Sequence, residues 1–321
     1  MSMFRMSWSR VLILFAIVFI ASQIIGSFFF YGLAVKRGPK EFLQNNADLE
    51  VSDEAMEQFL NGDWIDWVNA QDFEQLTMTS RDGLKLSGYY LPAATPTDKV
   101  VILTHGYLGH AKQMGLFGQY YNKDLGYNIF MPNARGHGKS EGNYYGFGWP
   151  DRLDLIDWTN LLVDKLGDET KVIYHGLSMG AATVLMASGE EELPIQVQAI
   201  IADSPYQSVY QLFSYQMRRM FYLPAFPLLD STSALTKIRA GYSFKEANAL
   251  HAVQKTKVPI LYIHGESDTF VPTEMTRHLV HATASDADLL LVPGANHGEA
   301  FVLAKDEYKK RIEVFFKRFI K

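Results

Sequence analysis

The chain reads as one α/β domain, a mostly parallel eight-stranded sheet opened by an antiparallel hairpin, with helices on both faces. Two observations predict it. Past residue 70, short apolar runs alternate with helical stretches of 10–18 residues, the rhythm of strand–helix–strand units. Residues 100–103 (VVIL) are apolar without a break, as expected of a strand covered on both faces. By contrast, 73–79 and 84–91 alternate polar and apolar around Arg81-Asp82-Gly83, which makes them a hairpin.

Residues 11–35 come first, 25 positions without a charge. As a helix they would extend roughly 37 Å, enough to cross a hydrocarbon layer of about 30 Å with some tilt. A cleaved signal has an apolar region of only about 7–15 residues, and this one runs past the small pair Ala21-Ser22 to Val35. Residues 1–38 are therefore expected to be an uncleaved, single-pass membrane anchor, ended by Gly38-Pro39. Arg5 and Arg10 face Lys36, Arg37 and Lys40 across it, a near balance under the positive-inside rule. The domain is expected on the cell membrane with its catalytic part outside the cytoplasm, the usual arrangement for a single N-terminal anchor.

Residues 39–69 read as a polar helical linker, with Ser52 as a start and Gly62 as a stop. If they only lead away from the membrane, removing residues 1–38 should release a soluble, active domain. The rest, 70–321, holds strands at 73–79, 84–91, 100–104, 128–131, 171–175, 197–202, 259–264 and 289–292. Helices are expected at 112–125, 149–166 (strongly amphipathic), 181–188, 273–284 and 305–320. Residues 206–250 break the rhythm: aromatic and proline-marked, they contain no strand-like run, and an insertion of that kind over such a sheet is a lid.

Net charge is −5, and the five cations of residues 1–40 face no acid there, so the remainder carries −10. That is the wrong sign for binding nucleic acid, whose affinity comes from neutralising phosphates. The absence of cysteine excludes disulfides, thiolate metal sites and a thiol nucleophile.

Gly-x-Ser-x-Gly occurs twice, at Gly138-KSE-Gly142 and at Gly176-LSM-Gly180. A nucleophile elbow needs a buried strand directly before the serine and a helix directly after, so that the hydroxyl stands on a tight turn above the helix N-terminus. Ser178 has Val172-Ile173-Tyr174 before it and Ala181-Ala182-Thr183 after; Ser140 lies in a long glycine-rich loop. Ser178 is the candidate nucleophile and Ser140 the decoy. A serine needs a base, and the base an orienting carboxylate. His297 follows the last strand and falls above the sheet's C-terminal edge, where ligands gather in open α/β folds. Asp268 and Asp203 each follow a strand and compete for the orienting role, with Asp268 better placed to face His297. Oxyanion donors are expected from the backbone N–H of Met179 and of Tyr107, Gly106 letting that loop turn inward. His175 is expected to pack beneath the elbow and His105 to brace the loop.

With these residues in place the chain resembles the α/β-hydrolase superfamily over nearly all of 70–320. The resemblance rests on His105-Gly106, on Arg135-Gly136-His137-Gly138-x-Ser140 and on the elbow Gly176-x-Ser178-x-Gly180. His264-Gly265-x-x-Asp268 and Asn296-His297 complete it. Within the superfamily it looks most like membrane-anchored bacterial members of the serine-aminopeptidase-like group. Asn133 stands where relatives carry Asp, in a loop that is structural in the family. The resemblance implies hydrolysis through an acyl-enzyme, without metal or organic cofactor. An ester of an apolar acyl or aryl group is the expected substrate, held by Gly106 and by Tyr206, Tyr210 and Phe213 of the lid. Peptidase or amidase activity on small peptides is the alternative, although a pocket reading a free amine would want acids, and the lid holds only Asp230 and Glu246. A non-catalytic binding module on the same fold is the third reading. The sequence leaves oligomeric state open.

Overall fold

The computed structural model describes residues 7–43 and 49–320. Helix α1 (Trp8–Phe30) continues through one wider turn, Tyr31–Val35, and is long and apolar enough to cross a membrane. Helices α2 (Asp53–Asn61) and α3 (Asp63–Ala70) follow; Ser52 caps the first by accepting from Ala55 N–H, and Gly62 separates the two. Part of the linker predicted as helical, 44–48, lies outside the described residues.

Strands β1 (Glu74–Thr79) and β2 (Lys85–Leu91) form the hairpin, with Glu74 opposite Tyr90 and Thr79 opposite Lys85. Strand β3 (Lys99–Thr104), short helix α4 (Gly115–Gln119), β4 (Asn128–Pro132), α5 (Asp151–Leu166), β5 (Lys171–Leu177) and α6 (Met179–Ser188) continue the chain. After β6 (Val197–Asp203) come three helices without a strand: α7 (Val209–Phe221), α8 (Leu228–Ala240) and α9 (Ala249–Val253). Then follow β7 (Ile260–Gly265), α10 (Thr273–Ala282), β8 (Ala287–Val292), α11 (Ala300–Leu303) and α12 (Lys305–Phe319).

The eight strands lie in the order β1-β2-β4-β3-β5-β6-β7-β8, antiparallel around β2 and parallel from β4 onward. Successive residues of a central strand point to opposite faces, so Val100 and Ile102 enter one core while Val101 and Leu103 enter the other. The first core is covered by α5, α6 and α10, the second by α4, α11 and α12. Each aliphatic side chain fully buried this way contributes about 1.5–3 kcal/mol.

Two expectations are corrected here. Residues 112–125 are not one helix: a 3-10 turn at Ala111–Met114, α4, and a wide turn at Tyr120–Asp124 share the span. Helix α5 is not simply amphipathic. Its inward face carries Asp154, which accepts from Nη2 and Nε along one edge of the buried Arg135 guanidinium at 2.7 and 2.8 Å, and Asp151, which accepts from Gly148 N–H.

Candidate active site

The turn after β5 puts Ser178 at φ +54°, a region that costs a non-glycine residue about 1–3 kcal/mol. Local contacts hold it there: Ser178 N–H donates to Asp203 O at 2.8 Å, and its carbonyl accepts from Ala182 N–H at 3.0 Å. The flanking glycines are sterically required. A β-carbon on Gly176 would lie 2.3 Å from the Gly180 carbonyl, and one on Gly180 would lie 2.0 Å from Thr104 O.

From that position Ser178 Oγ meets His297 Nε2 at 2.9 Å, and His297 Nδ1 meets Asp268 Oδ2 at 2.7 Å. The three side chains come from the loops after β5, β7 and β8. Asp268 is also bonded from behind. Its Oδ1 accepts the N–H groups of Phe270 and Val271, and its Oδ2 accepts a second imidazole, His264 Nε2, at 2.9 Å. Burial alone would raise the Asp268 pKa, but the charge of His297 and the bonds from His264 and His297 hold it far below the ordinary carboxylate range. Burial likewise pushes His297 down, and the Asp268 carboxylate more than reverses it, leaving His297 above its ordinary value.

Asp203 stands elsewhere. It accepts from Ser204 Oγ and from Tyr308 Oη at 2.9 Å each, beneath the elbow. Tyr308 thus spends its proton on Asp203 and accepts from His175 Nε2, while His175 Nδ1 accepts from Tyr121 Oη at 3.0 Å. Burial drives the His175 pKa down to about 3, so the ring is neutral and this single tautomer serves both partners. Ser140 is consumed structurally: its hydroxyl donates to Asn133 O and accepts Ser87 N–H, all buried. Asn133 holds the same loop through Ala111 N–H and Ser87 Oγ. His105 braces it, its Nε2 accepting Ala134 N–H and its Nδ1 bonded to Gly106 O.

Met179 opens α6 directly after Ser178, so its N–H has no acceptor one turn back. Tyr107 sits in the turn after β3. Its ring lines the pocket at Ser178, stacked on Phe147, and its hydroxyl donates to Ala34 O at 2.6 Å. Gly106 does not line that pocket, and a β-carbon there would meet only ordinary contacts at 3.5 Å, one of them Ser178 Cβ. The inward course of the loop therefore makes no steric demand for glycine.

Of the aromatic side chains expected to hold substrate, Tyr206 and Phe213 line the pocket and Tyr210 does not. Tyr210 is turned toward the outer side of α7, donating to Asp230 at 2.9 Å with Lys245 over its ring. One helical turn separates it from Phe213, and only the wall facing α7 decides which of them looks inward. Asp230 is also paired with Lys245, and Glu246 with Lys237. Gln216 lines the pocket with its Oε1 unpartnered among the described residues.

Sequence reasoning missed the opposite wall. Phe30, Leu33 and Ala34 of the N-terminal helix, with Phe42 and Leu43 beyond it, line the same pocket as Ser178. Tyr31 and Val35 are buried in the domain core, and Val35 O accepts Tyr145 N–H at 2.8 Å. Arg37 donates to the carbonyls of Gly138, Ser140 and Gly142, each at 3.1 Å, inside the glycine-rich loop. The segment expected to be a detachable tether is knitted into the site. Among the described residues no group of three or more His, Asp or Glu side chains is arranged to hold a metal ion.

The comparisons agree with this architecture. A family model described as α/β hydrolase fold matches residues 99–238, and one described as serine hydrolase (FSH1) matches 229–297. The uncharacterized protein YqkD of Bacillus subtilis is 29% identical over 254 residues, 76% of this chain and 81% of its own. An uncharacterized membrane protein of Saccharomyces cerevisiae, YNL320W, is 23% identical, over 72% of this chain and 75% of its own. The solved structure of the Pyrococcus furiosus esterase Pf2001 superposes with a TM-score of 0.62 and 26% identity, covering 78% of this chain and 94% of that one. The chain has the α/β-hydrolase fold and is related to the serine hydrolases of that fold.

Proposed function

We propose that the protein hydrolyses carboxylic esters of apolar acyl or aryl groups through an acyl-enzyme, with Ser178 as nucleophile, His297 as base and Asp268 as its orienter. The observation that carries this reading is the 2.9 Å contact between Ser178 Oγ and His297 Nε2 at the edge of an apolar pocket. Ser178 Oγ attacks the carbonyl carbon as His297 takes its proton; the carbon–oxygen bond to the alcohol breaks, and His297 returns the proton to that alcohol. Water then repeats the sequence on the acyl-serine and releases the acid. The negative charge on the carbonyl oxygen is held by the N–H groups of Tyr107 and Met179, a contribution worth about 10²–10³ in rate per donor. Pairing of Asp230 and Glu246 with lysines weighs against a peptidase that reads a free amine. The apolar helix α1 supports attachment to a membrane.

Ser178→Ala should abolish turnover of p-nitrophenyl esters and labelling by a fluorophosphonate, while Ser140→Ala, if folded, keeps both. Full labelling of Ser178→Ala, or an unlabelled, correctly folded native protein, would refute the assignment.

A further inference from the structure

The wall that α1 lends to the pocket carries information about the substrate. Only the first part of that helix stands clear of the domain: residues 8–25 are exposed but for half-buried Gln23, whereas Ser27, Tyr31 and Val35 are buried. Gly26 packs on α8, where a β-carbon would lie 2.7 Å from Leu228 Cδ1. The free 18 residues give a helix of about 27 Å, close to the roughly 30 Å of a hydrocarbon layer. The docked end then leaves no spacer between bilayer and catalytic domain.

The corner between α7 and α8 lies at the level of that junction. Phe221 packs on Phe30 with ring centroids 5.1 Å apart, and Leu228 packs on Gly26. Between those contacts the corner presents Tyr222 (89% exposed), Leu223 and Phe226 (74% exposed). Aromatic and aliphatic side chains left bare beside the end of an apolar span suit the boundary between headgroups and hydrocarbon. Phe30, Phe221 and Leu229, which flank this corner, line the same pocket as Ser178. Among the described residues no charged side chain lines it. Its tyrosine hydroxyls are already spent on Ala34 O and Phe147 O.

Resting on the ester-hydrolase reading above, we propose that the substrate is a membrane-resident ester with a long acyl chain. The chain passes from the bilayer between the end of α1 and the α7–α8 corner to bring its carbonyl to Ser178. The hydrocarbon moves from one apolar medium into another, so extraction into water, which costs about 0.8 kcal/mol for each CH₂, is avoided. The bonds made and broken are those of ester hydrolysis: water is consumed, the alcohol leaves protonated, and the fatty acid returns to the bilayer.

The test uses the full chain in phosphatidylcholine vesicles, with p-nitrophenyl palmitate dissolved in the membrane and p-nitrophenyl butyrate in the water. Tyr222→Asp keeps a residue that tolerates the left-handed backbone at this position (φ +55°), and Phe226→Ser supplies an independent change. Each should lower palmitate hydrolysis at least tenfold while butyrate hydrolysis stays within twofold of native. Unchanged palmitate turnover in both variants, an equal fall on both esters, or a native protein that cleaves butyrate but not vesicle-borne palmitate would overturn the inference and leave the hydrolase reading intact. A native protein cleaving neither ester, or a Ser178→Ala variant still cleaving them, would remove the hydrolase reading and this inference with it.

Discussion

Asp268 Oδ2 takes two imidazoles, His297 at 2.7 Å and His264 at 2.9 Å, while Oδ1 takes two backbone N–H groups. A carboxylate saturated in this way has one orientation, and it fixes the His297 tautomer with Nε2 free to accept from Ser178. Asp268→Asn should therefore lower kcat by a factor on the order of 10⁴. Asp203→Asn, which disturbs Tyr308 beneath the elbow, should cost thermal stability and leave kcat within about tenfold of native. The opposite ranking would exchange their roles. The pH profile follows from the same bonds. On the proposed mechanism activity requires neutral His297, and the carboxylate beside it raises the imidazole pKa above its ordinary value. The ascending limb of kcat/KM should lie above about 6.5, the ordinary histidine pKa, and the residual activity of Asp268→Asn should rise at lower pH than native. A limb that stays put in that variant would mean another group controls it. These residues were legible because each one's requirements are written within a few positions: glycines at two close backbone approaches around Ser178, and a strand end directly before Asp268. Tyr210 was not, since its direction depends on the wall that α7 faces.

Helix α1 does two jobs along one length, free over residues 8–25 and packed against α8 and the pocket over 26–35. Apolar residues satisfy both environments, so hydropathy marks the span without marking where it docks. The strand spans and the hairpin, in contrast, follow from period-2 alternation and uninterrupted apolar runs, which is why the eight strands were placed to within a residue or two. The docking has a measurable consequence. Leu33 is half-buried on the pocket wall, and Leu33→Trp adds bulk where an extended acyl chain would lie. Across p-nitrophenyl esters of rising length, the ratio of kcat/KM for a twelve-carbon acyl group to that for a four-carbon group should fall at least tenfold. An unchanged ratio would place the acyl chain elsewhere in the pocket.

For the whole molecule, the boundary between the exposed apolar span and the folded domain falls inside a helix. Sequence organisation suggests a cut at residue 38, but Tyr31 and Val35 belong to the main core, and Lys36 pairs as an antiparallel bridge with Tyr144. Arg37 ties down three carbonyls of the loop holding Ser140. Burying two such apolar side chains contributes about 1.5–3 kcal/mol each, and the hydrogen bonds of Arg37, which is exposed, add less because water competes for the same groups. Against a total stability of about 5–15 kcal/mol, their loss is large. A chain beginning at residue 26 keeps all of these contacts. It should fold, melt within a few degrees of the full chain in detergent and cleave p-nitrophenyl butyrate at a comparable rate. A chain beginning at residue 39 loses them together with Phe30, Leu33 and Ala34 of the pocket wall. At about 2–4 °C per kcal/mol, its Tm should fall by roughly 10–20 °C. With Ala34 O gone, Tyr107 Oη also loses its acceptor, so the loop proposed to offer the second oxyanion donor loosens, and kcat should drop along with stability. Differential scanning calorimetry and butyrate turnover on the two shortened chains decide the matter. Equal melting and equal rates would show that the end of α1 merely rests against a domain complete without it.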